Sequence, residues 1–383
     1  MAPNAFKGSL GAIEAAEAIA AGVAPVFPHL EVVQVPLADG GDGTTQCIIQ
    51  ATGGRLFRKT VTGPLGDKVE AFWGLTGDGS TAVVEVAAAS GLALVPPERL
   101  DPMRATSYGS GELIREALQS GCRSIFVGLG GSATSDGGAG MLQALGFKLT
   151  DRSGQEIGPG AAGLAQLHHI DTSSSETRLK EVELIAGCDV DNPLYGPRGA
   201  AYVYAPQKGA SSQQLPQLDR ALRRFAAVVL RDLGRDISRI PGAGAAGGIG
   251  AALAGILGAP LVPGVQRIME LSGLPELLAE GTTLLVITGE GEINSQSLHG
   301  KVPVGVARLA KTYAVPVLVL AGKVNLNPQQ AQKEGISAML SITDGPLSLA
   351  EAMERTAELL QSTAYRAMQL FYEGMNAAQR LNQ

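Results

Sequence analysis

Three observations predict an α/β protein of two domains, one built on a parallel sheet and the other on a mixed sheet. The 383 residues exceed what one compact domain usually holds. Roughly the last hundred alternate short β-branched runs with amphipathic helical patterns, as a parallel sheet with crossover helices requires. The middle of the chain carries a hairpin signal instead, so an antiparallel element must enter a second sheet.

Taken in order, the apolar period over residues 12–23 predicts a helix capped by Ser9. Residues 31–35 predict a strand running into the acidic glycine loop ADGGDG at 38–43. Residues 69–75 and 82–86 flank Gly77-Asp78-Gly79-Ser80, a combination that favours a β-hairpin. A helix over 112–119 stops at Gly121, a strand follows at 124–127, and a glycine-rich loop opens another helix near Met141. Residues 182–186 are an apolar segment ending in an acidic turn. Beyond it, 282–288 (TTLLVIT), 316–320 and 336–342 read as strands, 304–311 as a helix, and 349–377 as one long closing helix. The two ends are expected to share a sheet. This sets a discontinuous domain 1–62 with 280–383 and an inserted domain 63–279.

Composition narrows the function. Apolar residues at 45% and charged residues at 17% suit a large buried core and argue against disorder. A net charge of −6, with seven Tyr, eight Phe and one Trp, offers neither a basic stripe nor a stacking platform, so nucleic acid is excluded as a partner. No apolar run reaches the length of a membrane span, and the first residues lack a basic region followed by an apolar signal core. A cytoplasmic protein with no membrane partner is expected; a homodimer is compatible with the sequence but not demanded by it. Cys47, Cys122 and Cys188 are too scattered for a disulfide framework or a zinc site. Glycine, 51 of 383, is about twice its usual share, so many loops must pass close to something.

Four segments can carry chemistry. Residues 128–140, GLGGSATSDGGAG, follow an apolar strand and precede a helix. Successive glycines there let N–H groups converge on phosphate oxygens, with Gly130, Gly131, Ser132, Thr134 and Ser135 as the cradle. The alternative is a tight turn in which Asp136 is an N-cap. Residues 288–301, TGEGEINSQSLHGK, leave a strand end where open α/β sheets bind ligands. Glu290 suits a divalent cation, Lys301 a phosphate and His299 a hydrogen bond; a solvated loop with a capping Glu competes equally. No Walker pattern is present. In CDVDNP, Asp189 and Asp191 stand at a strand end, where an ionised Asp can accept the proton of a substrate hydroxyl, unless both serve an Asx-turn. Asp39 and Asp42 compete for the same roles, as base or as metal ligands. Lys7 and Lys208, each beside Gly, can neutralise an anion or simply be solvated. The glycines of residues 242–247 match a dinucleotide fingerprint without the strand it needs, so close helix packing is the simpler reading.

The segments APNAFKGSL, VPLADGGDGT, VTGPLG, AAASGLALVP, GGSATSDGGAGMLQALG, CDVDNPL, APQKGA, PGAGAAGG and ITGEGEINSQSLHGK occur in this order. Together they resemble the bacterial glycerate kinase family over essentially the whole chain. The resemblance implies phosphorylation of D-glycerate with ATP and Mg²⁺. It also implies two α/β domains, one Rossmann-like with a parallel sheet and one mixed, with the active site in the cleft between them. On that basis Asp189 and Lys7 are the catalytic candidates, and Asn4, Asp39, Arg198 and Lys208 bind substrate, with Lys7 or Arg198 on its carboxylate. Phosphates meet residues 130–136, Glu290 and Lys301, and Asp136 and Asp39, with Glu290, hold the metal. The preferred product is 2-phosphoglycerate, with 3-phosphoglycerate or a weakened binding homologue as alternatives.

Three departures from the family pattern bear on this. The family opens with an apolar strand before Ala-Pro, whereas this sequence starts Met1-Ala2-Pro3, so a core strand is expected to be missing. Asn4 stands where the family commonly has Asp, which removes it as a base. Glu292 and Asn294 replace Arg and Asp beside the proposed phosphate site, and are expected to face solvent.

Overall fold

The computed structural model describes residues 1–381, in two compact units: Gly40–Gly264, and Met1–Asp39 together with the residues from Val265 onward.

The Gly40–Gly264 unit begins as a meander. Strands β1 (Arg55–Thr62), β2 (Lys68–Leu75) and β3 (Thr81–Glu85) pair antiparallel, Arg55 opposite Leu75 and Gly74 opposite Val83. The turn between β2 and β3 is the hairpin expected at residues 77–80; Asp78 Oδ1 closes it by accepting from Ser80 N at 3.0 Å and Thr76 Oγ1 at 2.6 Å. From β3 onward the sheet is parallel. Strand β4 (Ser124–Gly128) lies beside β3, while β5 (Lys148–Thr150) and β6 (His169–Asp171) form a separate antiparallel pair. Next to β4 come β7 (Glu183–Gly187) and then β8 (Leu261–Val262), giving the order β1-β2-β3-β4-β7-β8. Every residue of β3 and β4 is buried, as a parallel sheet covered on both faces requires.

Helix Tyr108–Gln119 begins four residues before the expected start, because Gly109 and Gly111 serve packing and not a turn. A Cβ on Gly111 would lie 2.4 Å from Met141 O, so only glycine lets this helix seat against the helix Ala139–Ala144.

In the other unit, β9 (Val286–Asn294), β10 (Val317–Asn325) and β11 (Ala338–Ser341) form a parallel sheet in the order β11-β10-β9. Strand β9 begins four residues into the apolar segment 282–288, and both β9 and β10 run on past the apolar segments that announced them. Their polar halves continue the register through Lys323 opposite Glu292 to Asn325 opposite Asn294, and hydropathy does not report that pairing. The helix Ala12–Val23 forms as expected, but its N-cap is Gly11; Ser9 Oγ donates instead to Phe6 O at 3.0 Å. That helix packs on the last one, where Gly22 leaves no room for a Cβ against Gln361 O. The expected closing helix is two, Leu349–Glu354 with a Ser348–Glu351 capping box, and Thr356–Leu381.

The sheet position expected to be missing is occupied. Ala2 N donates to Ile287 O and Asn4 N to Gly289 O, both at 2.8 Å, while Val35 N and Leu37 N donate to Met1 O and Pro3 O at 2.7 and 2.9 Å. Residues 1–4 therefore bridge β9 and the extended segment 33–37, which carries backbone pairing although it is not a regular strand. Among the described residues no helix is long and apolar enough to cross a membrane.

Candidate active site

The 128–140 segment leaves the C-terminal end of β4, the centre of the parallel part of its sheet. Backbone contacts fix its course. Gly130 N donates to Gly40 O at 3.0 Å, and a Cβ on Gly130 would lie 2.4 Å from Gly41 Cα. Ala133 N donates to Ser90 O and Leu92 N to Gly131 O, both at 2.8 Å. Gly247, at φ 68°, approaches so closely that a Cβ would sit 1.9 Å from Thr134 O, and its own carbonyl accepts from Gly137 N at 3.0 Å. The glycines of residues 242–247 thus serve close backbone packing.

Two buried ionisable groups complete the turn. Asp136 is fully buried. Its Oδ2 accepts from Ser107 N and Ser107 Oγ at 2.8 Å and from Gly140 N at 3.2 Å, and its Oδ1 accepts from Gly138 N at 3.1 Å. Burial raises this carboxyl above its ordinary value, and the four donors oppose the rise. The N-cap of the helix Ala139–Ala144 is Gly138, so Asp136 is a clasp behind the helix start and not its cap. Lys208 is 2% exposed. Its Nζ donates to Ser132 Oγ at 2.9 Å and to Thr134 O at 2.7 Å, and burial lowers its pKa to about 7 against the pull of Asp136. Two of its three N–H donors are thus given to the loop itself. The Ser135 hydroxyl is buried with no partner among the described residues, a donor held in reserve at the turn.

Gly187 at the end of β7 lies opposite Gly128. Beyond it Asp189 is exposed, and its Oδ1 accepts from Gly264 N at 2.8 Å, a tie to the segment after β8. Asp191 pairs with Arg198 at 3.1 Å, both well exposed. Asn192 fastens the same loop by donating to Arg198 O at 2.7 Å and accepting from Tyr204 OH at 2.5 Å. Burial and the neighbouring Asp189 charge push the Cys188 thiol upward, which keeps it protonated.

The Met1–Asp39 unit has its own cluster. Lys7 Nζ lies 3.9 Å from Asp39 Oδ2, with Lys7 87% exposed. Glu290, on β9, is buried; its Oε1 accepts from Ser297 Oγ at 2.8 Å and its Oε2 lies 3.7 Å from Lys301 Nζ. Burial raises the Glu290 carboxyl, Ser297 and Lys301 oppose, and Asp39 adds to the rise. Asn4 is buried and accepts from Ala5 N at 2.8 Å. The stretch 288–301 is not one loop, because β9 runs through it to Asn294. Glu292 pairs with Lys323 at 3.3 Å, and Asn294 caps the turn Ser295–His299 in a box with Ser297. The His299 side chain lies outside the described residues.

Several residues that build the site were not singled out from sequence. Ser107 carries no signal, since its partner is 29 residues away. Glu85 does carry one, an acid closing the buried strand TAVVE. Among the described residues no three His, Cys, Asp or Glu side chains gather around a metal position. A cavity of about 460 Å³ lined by Val23, Phe27, Leu30, Leu277 and Phe371 contains none of the candidate residues and is not the site.

A model of the glycerate kinase family matches residues 1–372. The chain is similar to a glycerate kinase of Bacillus subtilis, 48% identical over 95% of both chains, and to a glycerate 2-kinase of Escherichia coli, 49% identical over 92% of both. A crystal structure assigned as glycerate kinase 2 from Salmonella typhimurium LT2 superposes with a TM-score of 0.87 at 44% identity, covering 98% of each chain.

Proposed function

The chain belongs to the glycerate kinase family and is an enzyme of that kind; on this premise we propose that it moves the γ-phosphoryl group of ATP to the 2-hydroxyl of D-glycerate. The choice of hydroxyl follows the relative called glycerate 2-kinase. One observation supports the placement of the chemistry: β4 and β7 are parallel neighbours, so the 128–140 loop and Asp189 leave the same edge of one sheet. Carboxyl ends of adjacent parallel strands are where such sheets bind ligands.

In this reading phosphate oxygens lie along residues 130–136, with the unpartnered Ser135 hydroxyl as a donor. Asp189 is exposed, and Gly264 N positions its Oδ1 at the strand end. It orients the substrate hydroxyl for in-line attack and accepts its proton as the O–P bond forms and the bond to ADP breaks. Arg198, exchanging Asp191 for the substrate, holds the glycerate carboxylate in a two-pronged contact. Lys208 and Asp136 shape the loop and touch neither substrate. Lys7 and Lys301 are proposed as anion contacts of the other unit.

Of the residues expected to hold magnesium, Asp136 already has its carboxylate occupied by four donors. An ion carried by nucleotide phosphates needs only one or two carboxylates.

The test is Asp189→Asn, assayed for ADP release with ATP and D-glycerate, with phosphorus NMR of the wild-type product. Turnover should fall at least about a hundredfold with folding intact, and the product should be 2-phosphoglycerate. Undiminished turnover would remove Asp189 as the base, and 3-phosphoglycerate would overturn the choice of hydroxyl.

A further inference from the structure

Glu85 closes β3, next to β4 in the sheet, with Glu85 opposite Gly128. It is 2% exposed, and its carboxylate reaches out of the sheet to the start of the helix Thr44–Thr52. Oε1 accepts from Thr45 N at 2.5 Å and Oε2 from Gly43 N at 3.3 Å. Gly43 is the N-cap of that helix and has no side chain to cap it, so the cap comes from 42 residues away. The turn 40–43 held in this way is the one that lies on the phosphate loop. Gly40 O accepts from Gly130 N, Gly41 Cα abuts Gly130, and Asp42 Oδ1 is 3.3 Å from where a Cβ on Gly131 would be.

We propose that Glu85 is a positioning residue for phosphoryl transfer: its carboxylate fixes turn 40–43 and thereby holds Asp42 against Gly131 at the phosphate loop. Burial, with Asp42 adding to it, raises this carboxyl from 4.5 to about 7 although two N–H groups bind it. Its stabilising contribution is thus present below pH 4.5 and is lost as pH rises toward about 7. Above that, the charged form is a cost to the fold.

The proposal rests on reading residues 128–140 as the phosphate site, and two variants separate the two ideas. Glu85→Gln keeps the shape but presents an NH₂ to one of the two N–H donors. With ATP and D-glycerate at pH 8, its kcat should fall about tenfold while both KM values hold, since a displaced group at the reacting centre is felt mainly in the transition state. Its melting temperature should stay within about 3 °C of wild type. Wild-type kcat would overturn the proposal, and so would a fall in kcat matched by a fall in melting temperature, the signature of a cap alone. Ser132→Ala, measured beside it, reports on the phosphate site through the KM for ATP. If that KM does not rise, the phosphate reading fails, while Glu85 is still judged on its own kcat.

Discussion

Lys208→Met tests whether this lysine serves the loop or the substrate. The substitution keeps the length of the chain and removes an ammonium that donates to Ser132 Oγ and Thr134 O. Each lost hydrogen bond is worth about 1 kcal/mol, and the stranded Thr134 carbonyl adds about 1 to 3 kcal/mol. Opposing this is relief from burying a charge. The folded-state pKa is lowered from 10.5 to about 7, so between these values the unfolded chain holds more protons and stability rises with pH. Each pH unit is worth about 1.4 kcal/mol, so wild type gains on the order of 3 kcal/mol between pH 7 and pH 9.5 that the variant does not. The variant should melt well below wild type at pH 9.5, and the gap should close toward pH 7. Its KM for ATP should rise about tenfold, with the KM for D-glycerate within about twofold, because the loop slackens while the acceptor site does not. Thermal unfolding across this range and initial-rate kinetics at pH 8 are the measurements. A gap independent of pH would refute the buried ammonium, and a raised KM for D-glycerate with an unchanged one for ATP would return Lys208 to the substrate.

Gly247→Ala places a Cβ 1.9 Å from Thr134 O at a residue with φ 68°, so the two backbone segments must separate. A fall in stability of about 2 kcal/mol or more is expected by thermal unfolding, together with a raised KM for ATP; a variant with wild-type melting and kinetics would contradict the contact. Glu292→Gln breaks only the exposed pair with Lys323. It should change stability by less than about 1 kcal/mol and leave the ATP kinetics alone; a clear drop in the KM for ATP would instead show that Glu292 repels the nucleotide.

The fold was legible wherever a segment is buried by its own pattern. The helix Ala12–Val23, the β2–β3 hairpin and the strand β4 all announce themselves by period or by turn residues. So does the glycine cluster after β4, since successive glycines mark a backbone approached from several sides. The polar ends of β9 and β10 were not legible, because their pairing depends on a neighbour and not on hydropathy.

Local order thus determined the class of fold, the glycine turn and the short list of polar residues near strand ends. The tertiary structure alone decided which of those residues are buried and what each of them bonds to. Lys208 and Asp136 look like ligand-binding residues in sequence, yet the chain turns both inward, onto Thr134 and onto Ser107. Asp189 stays exposed at the neighbouring strand end. The physical reason is that a buried charge must find partners, and those partners come from segments 29, 74 and 42 residues away for Asp136, Lys208 and Glu85. No period or motif along the chain records such distances.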